Sequence, residues 1–308
     1  MAQDTQTKEE KNGKGKAAAA AAAAAPAAMT APAPTTSTAI EVFDYGDDAG
    51  QGFENQDMSD RKLPIIELLQ ANSPEVVEGK GKVWAGQFRN SVTGEIYDEV
   101  LVVPAITDHC WTEWIGRDDG GGFRGRHAKN AKIVGDAIAR NDGRAIGKLK
   151  VPQSKDDKGK PQPDHELVET FEIYAILYDA KTGEVLGFGM IPFTSTKIKV
   201  YRAWNSMVGN FAPTLNGKKL APGQVPIFAH RVKMTSESET KGQNTYMIPV
   251  LSPAEGGDDL KNSLLSKSDP RYVAAKKLHD DVLAGLAKAS YESTKQEPGA
   301  NPEADVPF

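Results

Sequence analysis

Alternating apolar and polar positions predict three β-hairpins, each built from two strand-like runs around a turn rich in Gly, Asn, Asp or Ser. Gly94 and Gly183 can supply the positive φ that the first two turns need. At least six strands are therefore expected. The paired runs are Val83–Phe88 with Ile96–Val103, Phe171–Tyr178 with Val185–Phe193, and Pro226–Met234 with Thr245–Leu251 around the polar loop Glu237–Gln243.

The period of two in the second hairpin separates two faces of one strand. Phe171, Ile173, Ala175 and Leu177 share one face, which we expect to be core. The opposite face carries Tyr174 and Tyr178, and we expect it to offer these rings to a ligand.

Helical spacing predicts a helix from Thr194 to Val208, with Ile198, Tyr201, Trp204 and Val208 on one face. That spacing assigns Tyr201 and Trp204 to the core. Asp269-Pro270 is a favourable cap and first-turn pair, so a second helix is expected to begin there. A weaker periodic segment, 127–140, predicts a third helix.

Low-complexity ends limit the folded part of the chain to one domain with appendages. Residues 1–60 combine an Ala/Pro-rich run with an acidic stretch and are expected to be a disordered arm. After this arm we expect a core over 61–255, a C-terminal helix within 256–291 and a flexible acidic tail over 292–308. The expected fold is mainly β with accessory helices (α+β), an antiparallel barrel of the oligonucleotide-binding (OB-like) type built from the hairpins.

Targeting and redox signals are sparse. The single cysteine, Cys110, excludes a disulfide framework and a cysteine-only zinc site. Apolar runs are too short for a membrane span, and the Ala17–Ala25 run makes a poor signal peptide. We therefore expect a cytoplasmic protein that does not associate with membranes.

Charge is distributed unevenly along the chain. Residues 185–236 contain no Asp or Glu, although acids make up 42 of 308 residues and about 7 would be expected there (52 × 42/308). Seven cations and six aromatic residues occupy this window, in a chain with a net charge of −5. A basic, aromatic surface free of acids suits single-stranded nucleic acid.

The cations expected on this surface lie in two segments, and Phe188, between two glycines, is the aromatic residue best placed to be an exposed platform. A structural alternative is that the aromatics fill the core. The cations are Lys197, Lys199, Arg202, Arg231 and Lys233.

A second basic region, 117–150, contains the run Gly120-Gly121-Gly122-Phe123-Arg124-Gly125-Arg126. It fits G-x-G-x-x-G formally, but it does not follow a buried parallel strand, so dinucleotide binding is disfavoured. A glycine loop that carries Arg124 and Arg126 onto a phosphate backbone is the more natural interpretation, beside that of an ordinary surface loop.

Catalytic motifs are not evident. His109, Cys110 and His127 could be imagined as metal ligands, yet no paired CxxC, HxxxH or carboxylate cluster accompanies them. We expect no catalytic residues, no metal and no cofactor.

The last residues, Glu303-Ala304-Asp305-Val306-Pro307-Phe308, resemble the acidic tip of bacterial and phage single-stranded DNA-binding proteins, although Ala304 thins the acidic run. The resemblance covers six residues. It implies that the tip, Asp305, Val306, Pro307 and Phe308, docks into a basic, apolar pocket on replication or recombination proteins such as a polymerase, helicase or nuclease.

Together these features predict a non-catalytic protein that coats and protects single-stranded DNA in replication, recombination or repair, in the host cytoplasm if a phage encodes it. A homo-oligomer is compatible with this expectation. The alternatives are a phage structural or assembly protein, a strand-annealing recombination protein and a metal-dependent nuclease. The expected DNA contacts are Arg124, Arg126, Tyr174, Tyr178, Phe188, Lys197, Lys199, Arg202, Arg231 and Lys233.

Overall fold

Twelve strands and four α-helices are present in the part of the chain that the structure, a computed structural model, describes: residues 51–52, 55–56, 60–116, 121–145, 147–151, 159, 165–254, 259–287 and 291. The expected arm lies almost wholly outside these residues, and the expected tail with its tip lies entirely outside them. The strands are β1 (Ile66–Leu68), β2 (Phe88–Asn90), β3 (Ile96–Tyr97), β4 (Val100–Ile115), β5 (Gly122–Ala128), β6 (Lys148–Val151), β7 (His165–Asp179), β8 (Val185–Thr194), β9 (Thr214–Leu215), β10 (Lys218–Lys219), β11 (Val232–Lys241) and β12 (Asn244–Pro253). The helices are α1 (Pro74–Glu78), α2 (Lys132–Arg140), α3 (Ile198–Gly209) and α4 (Pro270–Leu283).

A seven-stranded antiparallel sheet is built around β4 and β7, which pair from Val100↔Asp179 to Ile115↔His165. β11 and β5 pair with opposite ends of β4, while β8 and β6 pair with opposite ends of β7, and β12 completes a hairpin with β11. The expectation of a mainly β, antiparallel fold with a few helices is confirmed. The expected closed barrel is wrong, because among the described strands no pairing joins β12 back to β8 or β6.

Helices cover both faces of this sheet, which explains the nearly continuous burial of β7. On one face Ile173 and Leu177 pack with Trp204 and Val208 of α3. On the other face Tyr178 packs with Ala275 and Leu278 of α4. Tyr174 and Tyr178 are only 5% and 4% exposed, so they do not lie on the open face expected of them. The sequence did not reveal that α4 covers Tyr178, or that Leu63, Ile65 and Tyr291 cover Tyr174.

The predicted helices are largely confirmed. α3 buries the expected stripe, Ile198, Tyr201, Trp204 and Val208, and a short 3-10 helix, Ser195–Lys197, precedes it. α4 begins at Pro270, where the Asp269 carboxylate accepts a hydrogen bond from the Arg271 N–H. The third predicted helix begins later than expected, because His127 lies in β5 and α2 starts at Lys132.

Residues 63–70, which we call the edge strap, contact both edges of the sheet. At β8, the Met190 N–H donates to the Pro64 carbonyl over 2.8 Å. At β12, the Gln70 side chain accepts from the Met247 N–H over 2.8 Å and donates to the Met247 carbonyl over 3.0 Å. The strap thus satisfies backbone groups that an open sheet would leave exposed.

Candidate nucleic-acid interface

A groove of about 620 Å³ lies between α3, the turn before β6 and the β11–β12 hairpin. We call it the α3 groove. It is open along one side, and its lining combines three cations, one aromatic ring, two hydroxyls and two carboxylates. These residues are Lys199, Arg202, Lys241, Tyr246, Ser195, Thr196, Glu169 and Glu239.

Two of these cations face the groove while paired with carboxylates from distant strands. The Lys199 ammonium contacts Glu239, and Arg202 Nη2 lies 3.2 Å from Glu169 Oε1. The Lys199 and Arg202 side chains are nevertheless 55% and 61% exposed. Both cations are therefore neutralised locally but accessible to a competing anion.

Stacked rings support Arg202 from below. Its guanidinium lies 5.4 Å from the centroid of Phe171, which stacks on His109 at 4.1 Å and on Tyr201 at 4.6 Å. His109 Nε2 is 3.1 Å from Glu169 Oε1. Burial lowers the pKa of His109 despite this carboxylate, so Glu169 lies between the imidazole and the Arg202 guanidinium.

The predicted cations do not form a single surface. Val232 and Met234 pack on the side of α3, so strand alternation places Lys233 on the opposite side, where its ammonium is 2.8 Å from Glu99. Arg231 Nη2 donates to the carbonyl of Asn262, in the segment that leads to α4. Lys199 and Arg202 are brought together with each other, and Lys197 lies in the 3-10 helix just before them.

The β5 arginines form a third group. Arg124 is exposed, whereas Arg126 reaches the fully buried carboxylate of Glu172 through Nε at 3.2 Å and Nη2 at 2.8 Å, and also contacts Asp108. Burial opposes the charge of Arg126, but Glu172 raises its pKa. Arg126 is therefore not the free cation expected beside a phosphate backbone: 32% of its side chain is exposed, but its guanidinium is paired with Glu172 and Asp108.

The aromatic candidates also lie in surroundings other than those expected. Phe188 is half-buried against the α4 side of the sheet together with Val282, so it is not the open platform expected of it. Among the aromatic residues that the structure describes, Trp84 is the exposed one, at 53%, and it was not among the predicted contacts. A signal was available in the run Gly79-Lys80-Gly81-Lys82-Val83-Trp84, where cations alternate with glycine before an aromatic residue.

Other clusters of titratable side chains form hydrogen bonds and ion pairs with one another inside the fold. Glu113 Oε2 lies 2.8 Å from His127 Nε2, and its Oε1 lies 2.6 Å from His165 Nδ1. Burial opposes ionisation of Glu113, but the hydrogen bonds from the two histidines lower its pKa. Cys110 is buried against Glu172, and burial raises the pKa of its thiol. Within the described ranges no group of three or more His, Cys, Asp or Glu residues is arranged to hold a metal ion.

Membrane insertion by a helix is not supported in the described part of the chain, since none of its helices combines the necessary length and apolarity.

Comparison with known proteins gives one family. A family model described as Pam3 phage gp34-like protein matches residues 33–288. No curated protein and no solved structure matches the chain.

Proposed function

The chain belongs to the Pam3 phage gp34-like protein family, and for this member of a phage family we propose binding of single-stranded DNA in the α3 groove, without catalysis. In this proposal the protein coats and protects single strands during phage replication or recombination. Its tip, Asp305–Phe308, recruits partner proteins of those processes.

The observation that supports the proposal is the composition of the α3 groove. Lys199, Arg202 and Lys241 line one open channel together with the Tyr246 ring. Cations that follow a phosphate backbone beside a ring that can stack on a base are the elements of sequence-independent single-strand binding.

The carboxylates in the groove do not prevent this use. An exposed ion pair contributes only about 0–1 kcal/mol, because solvent screens it. At Lys199 a phosphate can therefore replace Glu239 at small cost, and it releases condensed counterions as it binds. Glu169 is buried, with 9% of its side chain exposed, so displacing it from Arg202 would cost more. The resting charge pairs hold both cations in place until DNA arrives.

The test is a titration of oligothymidine across a series of salt concentrations. For single strands, the logarithm of affinity falls with the logarithm of salt by about 0.7 per phosphate contacted. We expect Lys199→Gln and Arg202→Gln each to weaken binding and to flatten the slope by about that amount. Lys277→Gln, which removes a similarly exposed, carboxylate-paired cation on α4, is the matched control and should leave both quantities unchanged.

Other results decide among the alternatives. A wild-type protein that shows no micromolar binding at low salt contradicts the proposal and favours a structural or assembly protein. Metal-dependent loss of labelled DNA would identify a nuclease, and faster annealing of complementary strands would identify a recombination protein.

A further inference from the structure

Trp84 is the most exposed of the four tryptophans in the chain. Its exposed fraction is 53%, against 1% for Trp111 and 3% for Trp204. Trp114 packs edge-on against Phe123 and Tyr291. Trp84 lies in residues 79–86, between α1 and β2, which we call the Trp84 loop.

The backbone of the Trp84 loop is held in place at several points. The Lys82 N–H donates to the Gly79 carbonyl over 2.9 Å, closing a turn in which Lys80 and Gly81 have φ values of 48° and 80°. The Trp84 N–H donates to Gln87 Oε1 over 2.9 Å. A preformed turn of this kind lowers the entropy cost of ordering when a ligand binds.

The loop is also packed against the β11–β12 hairpin. Ser236 Oγ donates to the Gly86 carbonyl over 2.6 Å. A Cβ at Gly86 would lie 2.6 Å from Met247 Cε, and φ there is +97°, so only glycine fits. Met247 follows Tyr246 on β12, and successive side chains of a strand point to opposite faces. The Trp84 loop and the α3 groove therefore both contact the β11–β12 hairpin.

Charge around Trp84 favours an anion. Lys80 and Lys82 are exposed, and neither forms an ion pair with a residue that the structure describes. Nearby Glu75 is occupied by Arg89, at 2.6 Å. In this respect the two lysines differ from Lys199 and Arg202, since a phosphate can reach them without displacing a carboxylate.

We propose that Trp84 is a stacking platform for a base of single-stranded DNA, and that Lys80 and Lys82 contact the adjoining phosphates. The inference rests on the proposed function and adds to it a second contact point, beside the β11–β12 hairpin that also lines the α3 groove. Stacking on an exposed ring is tolerant of sequence because every base has a π-face.

The experiment combines intrinsic tryptophan fluorescence with affinity measurements on the full chain. Oligothymidine should quench the emission of the wild-type protein, and Trp84→Phe should bind similarly but lose most of the quenching, since the other tryptophans are largely buried. Trp84→Ala should weaken binding roughly tenfold, which is the effect of losing one stacked base. Val77→Ala, at an exposed apolar residue of α1 without a ring, is the matched control.

The charge contribution is tested in the same titrations. Lys82→Gln, and Lys80→Asn, which suits the positive φ of that position, should each flatten the salt slope by about 0.7. A thermal unfolding midpoint equal to that of the wild-type protein would show that none of these surface variants has lost its fold.

The possible outcomes separate the two proposals. If the wild-type protein binds and the Lys199 and Arg202 variants weaken binding, but Trp84→Ala binds normally and Trp84→Phe is still quenched, the Trp84 assignment is wrong and the α3 groove stands. If only the Trp84 loop variants weaken binding, the Trp84 assignment stands and the groove is wrong. Absence of any wild-type binding at low salt overturns both.

Discussion

Individual cations in the acid-free window meet carboxylates that the linear sequence places far away. Lys199 pairs with Glu239, Arg202 with Glu169 and Lys233 with Glu99. Each partner lies outside residues 185–236 and arrives through strand pairing or through the packing of α3. A window free of acids along the chain therefore does not remain free of acids in space.

The most consequential single residue inside the fold is Glu172. Its carboxylate has no solvent exposure and accepts hydrogen bonds from Arg126, Tyr174, Tyr291 and Cys110. A buried charge is tolerated only when it is paired and fully hydrogen-bonded. The network spans β4, β5 and β7 and reaches beyond α4, so it fixes several elements relative to one another.

We predict that Arg126→Ala destabilises the protein by about 3 kcal/mol, because it leaves the buried Glu172 charge without its cation. Urea-induced unfolding would measure the change. Arg124→Ala, on the same strand but exposed, is the control, with an expected change within about 0.5 kcal/mol.

Oligothymidine titration of the Arg126→Ala protein can contradict this structural role of Arg126. An Arg126→Ala protein that unfolds like the wild type but binds DNA with a flatter salt slope would return Arg126 to the interface. A second change, Glu172→Gln in the Arg126→Ala background, should recover part of the lost stability because it removes the unpaired charge.

At the scale of elements, the sequence predicted those strands and helices whose formation depends on interactions within a short segment. The second hairpin, α3 and the Asp269 cap of α4 were predicted correctly, since they depend on alternation, helical spacing and turn chemistry within short segments. The third hairpin was shifted: Glu237–Lys241 continue β11 and pair with β12, although they belong to the predicted polar loop Glu237–Gln243. Such a strand gains its stability from the partner strand and not from its own pattern.

Alternation along a strand cannot show which distant segments pack on the faces of the sheet. Tyr174 and Tyr178 alternate as an exposed stripe would, yet α4 packs over Tyr178, while Leu63, Ile65 and Tyr291 pack over Tyr174. The α3 groove could be predicted only in part. Lys199 and Arg202 lie on one helix, whereas Lys241 and Tyr246 reach the groove only through the β11–β12 hairpin.

The edge strap leads to a prediction about β12. Gln70 satisfies both backbone groups of Met247 with one side chain and is only 8% exposed. Gln70→Met keeps the volume but leaves the Met247 N–H and carbonyl unpaired, so we expect a loss of about 1–3 kcal/mol. Thermal unfolding measures this loss, and light scattering should reveal self-association through the uncovered edge.

Gln243→Met, in the exposed turn between β11 and β12, is the control for the added methionine. If Gln70→Met unfolds and scatters light as this control does, the strap does not protect the edge.

On the scale of the whole molecule, the cations that the sequence predicted as DNA contacts are divided among three places: the α3 side of the sheet, the α4 side and β5. The proposed DNA contacts use the α3 groove and the Trp84 loop. Arg231 and Lys233, on the α4 side, are not part of either. A molecule with this distribution would bind a strand at discrete contact points and not over a uniform basic surface.

The tip gives the prediction at this scale. Deleting Asp305–Phe308 should leave oligothymidine affinity equal or tighter, since it removes an acid that competes for the same cations, and should abolish capture of a purified replication polymerase or helicase. A variant with these four residues in reversed order keeps the charge, so it should lose capture while binding DNA as the wild type does. Weaker DNA binding after the deletion would contradict this role.

Tyr291 fixes the point from which the chain continues towards the tip. Its hydroxyl donates to Glu172 over 2.6 Å, and its ring stacks on Phe123 at 5.2 Å. Phe308 follows 17 residues later (308 − 291), and a chain spans at most about 3.6 Å per residue. If the tip docks as proposed, it therefore holds its partner within about 60 Å of Tyr291.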